Sequence, residues 1–133
     1  MSIQTASYVR EDDINTLVDE FYARVQCDAL IGPIFDEQVK DWPAHLALLK
    51  QFWAAMVMGV GRFEGNPLET HLKLKLEPQH FERWLVLFRE TAMELLPAEK
   101  AAMFVGRSQR IAETFQRGIA ARRNGLGIVP AHI

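Results

Sequence analysis

The stretch ETHLKLKLEPQHFERWLVLF, residues 69–88, decides the interpretation of this chain because it holds two histidines in a largely apolar neighbourhood. From Pro78 onward its apolar residues recur at steps of three and four, which is typical of a helix with one buried face. That inward face is formed by Phe81, Trp84, Leu85, Phe88 and Leu95. His80 lies about a quarter-turn from this face, near the helix start, where we expect it at the surface. His71 falls in a short segment before it, and the local sequence leaves open whether His71 is a ligand or a packed side chain.

Three further stretches have the same helical period. One predicted helix runs from about residue 11 to 26, another begins near Pro43, and a last one runs from about 98 to 122. Their inward faces are Ile14, Leu17, Val18, Phe21, Tyr22 and Val25, then His45, Leu49, Phe52, Trp53, Met56 and Val60, then Val105, Ala112, Phe115 and Ile119. Gly32 and Pro33 favour a short turn or a single helical turn between the first two. The sequence therefore predicts an all-α fold with four substantial helices.

Composition limits the class of protein. The chain has 133 residues and a formal net charge of −2, which fits one compact domain, expected over 1–123 with a flexible tail at 124–133. Cys27 is the only cysteine, so no internal disulfide can form and a reducing, cytoplasmic setting is expected. Without a long apolar segment or a clustered basic face, we expect neither a membrane nor a nucleic-acid partner. A monomer or weak dimer that binds small molecules or protein is expected.

Five segments spread over nearly the whole chain belong together. They are EFYARV, LIGPIFDE, DWPAHLALLKQFW, NPLETHLKL and HFERWLVLF. In their order and spacing the chain resembles the truncated haemoglobins, and within them the third group. The resemblance implies a two-over-two helical sandwich that encloses haem b. It also implies that His71 is the proximal ligand of the haem iron and that His80 is not.

The same resemblance assigns Tyr22, His45 and Trp84 to the distal side of the haem. Each can donate a hydrogen bond to a small ligand with partial negative charge, and such bonds slow the release of oxygen. Slow release suits chemistry on oxygen, nitric oxide or peroxide better than bulk transport. His45 has three open roles: it could donate to the ligand, swing outward as a gate, or bind the iron as a sixth ligand.

Apolar residues are expected to bury the porphyrin, with Leu49 lying over the ring. The expected pocket wall is Phe21, Phe35, Phe52 and Trp53. The haem propionates need cationic or hydroxyl partners, for which Arg62, Lys73 and Lys75 are candidates.

The function implied by the resemblance is tight binding of oxygen, nitric oxide, carbon monoxide or peroxide. Two reactions are considered: conversion of nitric oxide to nitrate, and peroxidase-like chemistry. Either would need an external reductase, so whether the chain is an enzyme stays open. The alternatives are a gas or redox sensor that acts through a protein partner, and a haem-free helical interaction module in which these aromatic residues are only core.

Overall fold

The computed structural model describes residues 9–59 and 76–123 of the chain. Five α-helices lie in these ranges, and a π-helical turn, Ala54–Met58, continues the third. The helices are α1 (Glu11–Cys27), α2 (Gly32–Gln38), α3 (Trp42–Trp53), α4 (Pro78–Leu95) and α5 (Ala98–Arg123). Within the described ranges there is no strand, which confirms the all-α prediction. The four long helices also lie close to their predicted bounds. No described helix is long and apolar enough to cross a membrane.

Helix α1 follows its predicted period. Three acidic residues, Glu11, Asp12 and Asp13, lie in its first turn, where carboxylates interact favourably with the positive end of the helix dipole. All six residues of the predicted inward face are buried: Ile14, Leu17, Val18, Phe21, Tyr22 and Val25. The burial of this complete face makes α1 the centre of the fold.

Helix α2 is longer than the single turn that the glycine and proline suggested. Pro33 lies in its first turn, where its missing N–H costs nothing, so the proline starts a seven-residue helix. Gly32 allows the close approach to α1, since a Cβ atom at this position would lie 2.9 Å from the backbone oxygens of Val25 and Gln26. This approach brings Phe35 of α2 against the inward face of α1.

Asp28 holds the connection between α1 and α2. Its carboxylate accepts hydrogen bonds from the backbone N–H groups of Leu30 and Ile31, at 3.1 and 3.0 Å, and from the Arg83 guanidinium of α4 at 2.8 Å. Burial by itself raises the pKa of Asp28, but these hydrogen bonds and the Arg83 charge outweigh it and leave the pKa below its ordinary value. The carboxylate therefore ties three helices together.

Helix α3 begins within one residue of its predicted start. The Asp41 side chain accepts a hydrogen bond from the Ala44 N–H at 3.2 Å, which caps the helix and sets its first turn. After the π-helical turn the chain reaches Gly59, whose φ of +67° is a left-handed conformation that glycine adopts without strain. The capped first turn of α3 carries His45, whose backbone N–H donates to the Asp41 carbonyl oxygen at 3.0 Å.

The long helices pack as two pairs. The most extensive contact joins α4 to α5, which follow each other across Leu96 and Pro97, while α1 packs against α3 and also against α4. An ion pair closes α1 onto α5, since the Lys100 ammonium lies 2.9 Å from the Asp13 carboxylate and both side chains are largely buried. The core therefore lies where the pair of α1 and α3 meets the pair of α4 and α5, and α1 contacts both α3 and α4.

Candidate functional site

Tyr22 lies at the centre of an aromatic cluster. Its side chain is only 4% exposed. The ring meets Phe21, Phe35 and His45 edge-on, with centroid distances of 4.7, 6.1 and 6.2 Å. Helices α1, α2 and α3 thus each bring an aromatic or imidazole ring to the same phenol.

The Trp84 indole of α4 meets the Tyr22 hydroxyl and acts on it as a hydrogen-bonding neighbour that lowers the pKa of the phenol. An indole can only donate, so a hydrogen bond between the two runs from the Trp84 N–H to the Tyr22 oxygen. Burial raises the pKa of Tyr22 far above its ordinary value, although the Trp84 hydrogen bond opposes the shift. The phenol therefore stays protonated and keeps a hydrogen that it can donate. That hydrogen can be directed at a ligand.

The indole of Trp84 is held from two sides. Its ring stacks on Phe88, with centroids 5.4 Å apart and an angle of 12°, and it meets the edge of Phe21 at 5.5 Å and 87°. Phe88 lies four residues after Trp84 on α4, which places both side chains on one helix face. A ring fixed in this way cannot readily turn its N–H from the Tyr22 oxygen to another acceptor.

His45 lies beside Tyr22 on α3 and is half-buried. Besides the edge contact with Tyr22, its ring lies 5.6 Å from that of Trp42 at an angle of 84°. Burial lowers the pKa of His45, so the neutral imidazole, with one donor and one acceptor nitrogen, is favoured near pH 7. All three roles considered for His45 remain compatible with this position.

A cavity adjoins the aromatic cluster between α2, α4 and α5. It is lined by Ile31, Phe35, Leu76, His80, Phe81, Trp84, Ile111, Ala112 and Phe115. Apart from the imidazole and the indole, every lining side chain is a hydrocarbon. Porphyrin is a flat, largely apolar molecule, so the chemistry of this lining suits it, and the protonated phenol nearby suits a small polar ligand.

Several predicted pocket residues lie elsewhere in the described structure. Phe21 is fully buried among the rings of α1 and α4, and Trp53 stacks on Phe88 at 5.2 Å and 14°. Leu49 and Phe52 are partly buried on α3 and pack against the core. None of these four lines the cavity described above. Their contact with haem stays a prediction.

Other predictions fall outside the described residues. The candidate iron ligand, His71, lies between the two described ranges, and so do the candidate propionate partners Arg62, Lys73 and Lys75. The expected tail at 124–133 also lies beyond them. These assignments stay predictions.

Two residues of this region were not expected from the sequence. Trp42 packs on both Tyr22 and His45, and its position three residues before His45, on the same helix face, is a pattern that could have revealed it. His80 was expected at the surface, but it is half-buried and lines the cavity. Its angular offset from the apolar face of α4 concealed this, because α5 and Leu76 extend the cavity beyond that face.

Comparison with known proteins defines the class. The model of the family described as Bacterial-like globin matches residues 10–116, and the chain belongs to this family. Haem and oxygen binding follow from membership of the globin family.

Within that class, one relative and one solved structure are informative. The chain is 36% identical over 113 residues to the group 3 truncated hemoglobin ctb of Campylobacter jejuni, and the alignment covers 81% of this chain and 89% of that protein. The crystal structure of the group III truncated hemoglobin from Campylobacter jejuni matches with a TM-score of 0.77 and 36% identity, covering 83% of this chain and 91% of that chain. The predicted resemblance to this group and the truncated-globin fold are thereby confirmed.

Proposed function

We propose that this chain is a haem b globin that binds oxygen and other diatomic ligands tightly and serves oxygen, nitric oxide or peroxide chemistry rather than bulk transport. The observation that carries the proposal is the buried, protonated Tyr22 phenol, which has Trp84 and His45 beside it. Haem, when bound, supplies an iron with an open position for a small ligand. The protein supplies a fixed donor on a protonated phenol.

Tyr22 acts in this proposal by donating its hydroxyl hydrogen to the ligand. The Trp84 N–H withdraws electron density from the phenol oxygen, and hydrogen bonds in such a chain strengthen one another. A hydrogen bond to a group with developing charge contributes about 1.5 to 3 kcal/mol, which corresponds to slowing of ligand release by about 10- to 150-fold. A protein that releases oxygen so slowly is a poor carrier, and this favours a reactive role.

The other assignments follow the same proposal. His71 is the proposed proximal ligand, and Phe35 and the hydrocarbon residues of the cavity would bury the porphyrin. His45, neutral and half-buried beside Trp42, is the proposed second polar group on the ligand side. Repeated turnover of nitric oxide or peroxide would take electrons from an external reductase.

The test is the visible absorption spectrum of the purified chain in ferric, reduced and carbon monoxide-bound forms. We expect a strong haem band that shifts with carbon monoxide. His71→Ala should abolish or rearrange the spectrum of the reduced form, whereas His80→Ala, which changes the other histidine of the same stretch, should leave iron coordination unaltered. Failure to retain haem even after addition of hemin would refute the proposal. An unchanged spectrum in His71→Ala would refute the assignment of the ligand alone.

A further inference from the structure

His80 has a special place in the cavity. Of the nine lining residues seven are buried, and the two exceptions are His80 and Trp84. The lining holds two side-chain N–H groups, and because the Trp84 indole meets the Tyr22 hydroxyl, the imidazole brings the other. Since His80 is half-buried, this polar group lies at the solvent-facing rim of an otherwise hydrocarbon cavity.

One ring nitrogen of His80 is already engaged. Nδ1 accepts a hydrogen bond from the backbone N–H of Glu77 at 2.8 Å, so the neutral ring carries its hydrogen on Nε2. In this tautomer Nε2 can donate a hydrogen bond but has no lone pair to offer a metal. Iron coordination through Nε2 would require the hydrogen on Nδ1, which would break the bond to Glu77. The local structure thus makes His80 a donor and disfavours it as an iron ligand.

Among the described residues that line the cavity, none carries a formal charge. Arg83, three residues after His80, is not part of this lining, and its Nε donates to the Asp28 carboxylate at 2.8 Å. Glu77 and Glu82 bring carboxylates, which accept hydrogen bonds and repel an anion. At this rim the Nε2 hydrogen of His80 is therefore the group suited to an anionic acceptor.

We propose that His80 donates its Nε2 hydrogen to a carboxylate at the edge of a flat apolar ligand, which under the proposed function is one propionate of haem. The hydrocarbon part of the ligand then contacts residues such as Phe35, Phe81 and Phe115, and its charged edge lies at the half-exposed rim. There the carboxylate keeps part of its hydration and avoids the full cost of burying a charge. A hydrogen bond to a carboxylate is among the stronger ones in proteins.

The test compares two porphyrins in the full-length chain: iron protoporphyrin IX and its dimethyl ester, in which both carboxylates are neutralised. The measurement is the rate of porphyrin transfer to an excess of apomyoglobin. His80→Leu should speed loss of the diacid by about tenfold and leave loss of the ester unchanged, so the ratio of the two rates changes. The matched control is Gln79→Leu, at the exposed neighbouring position, which should leave both rates unchanged.

The outcomes separate this inference from the proposed function on which it rests. Suppose that the wild-type chain retains both porphyrins. If His80→Leu then speeds the loss of both equally, or speeds the loss of neither, the carboxylate contact is refuted while haem binding stands. A wild-type chain that retains neither porphyrin refutes both. Should His80→Leu fail to fold, the wild-type chain with diamagnetic zinc protoporphyrin IX gives the answer by NMR. The Nε2 hydrogen of His80 should resonate downfield with the diacid relative to the ester, and equal shifts would overturn the inference.

Discussion

The hydrogen bond from Trp84 to Tyr22 makes a quantitative prediction about oxygen release. Tyr22→Phe removes the proposed donor to the ligand and leaves the half-buried Trp84 N–H without its acceptor. Loss of a hydrogen bond worth about 1.5 to 3 kcal/mol should speed oxygen release by about 10- to 150-fold. Trp84→Phe leaves the phenol in place and removes only the polarising bond, so an effect of about 0.5 to 1.5 kcal/mol, or about 2- to 10-fold, is expected.

The double variant distinguishes two ways in which these residues could act. Because the Trp84 ring is stacked on Phe88 and donates to Tyr22, we expect it to act through the phenol. Tyr22→Phe combined with Trp84→Phe should then release oxygen about as fast as Tyr22→Phe alone. Two independent donors would instead give effects that multiply.

The assay is stopped-flow displacement of oxygen by carbon monoxide in the reconstituted full-length chain. Thr91→Val is a suitable control, since it removes a different buried hydroxyl, which lies on α4 and donates to the Leu87 carbonyl of the same helix. This change should alter stability without altering oxygen release. Multiplicative effects of the two substitutions would refute the coupled arrangement. Unchanged release rates in both single variants would refute the distal hydrogen-bond account altogether.

The remaining predictions concern stability and protonation. Gly32→Ala should lower the free energy of unfolding in urea by about 1 to 3 kcal/mol, because its Cβ would lie 2.9 Å from two backbone oxygens; an unchanged midpoint would contradict the close approach. Burial lowers the pKa of His45 below 6.5, so the stability that its neutral form contributes is fully present above pH 6.5 and falls as the pH decreases toward the folded-state pKa. NMR titration of the imidazole should show the lowered pKa, and Trp42→Ala should raise that pKa. Burial raises the pKa of Asp13, but the Lys100 ammonium, the Arg10 backbone N–H and the Arg10 charge lower it by more, so the pKa lies below 3.8 and stability should be lost as the pH falls below that value. Acid titration of Lys100→Met should show a smaller loss of stability.

Local patterns in the sequence account for much of the architecture. The period of apolar residues in α1 predicted all six of its buried positions, and the prolines near the starts of α3 and α4 marked those starts within one residue. The length of helix α2 was underestimated because Gly32 was interpreted as a helix breaker. Its absent Cβ is needed for the approach to α1, and no local pattern reports that contact.

The sequence by itself determined the helical class, the approximate bounds of the four long helices and the resemblance that singled out Tyr22, His45 and Trp84. These follow from periodicity, caps and motifs, which are properties of neighbouring residues. Only the tertiary structure decided that the Trp84 indole meets the Tyr22 hydroxyl and that His80 lines the cavity with its Nδ1 engaged. The physical reason is that hydrogen-bond direction and cavity lining depend on how α1, α4 and α5 pack. Residues far apart in the chain meet there, and a pattern within one helix carries no information about what the neighbouring helix presents.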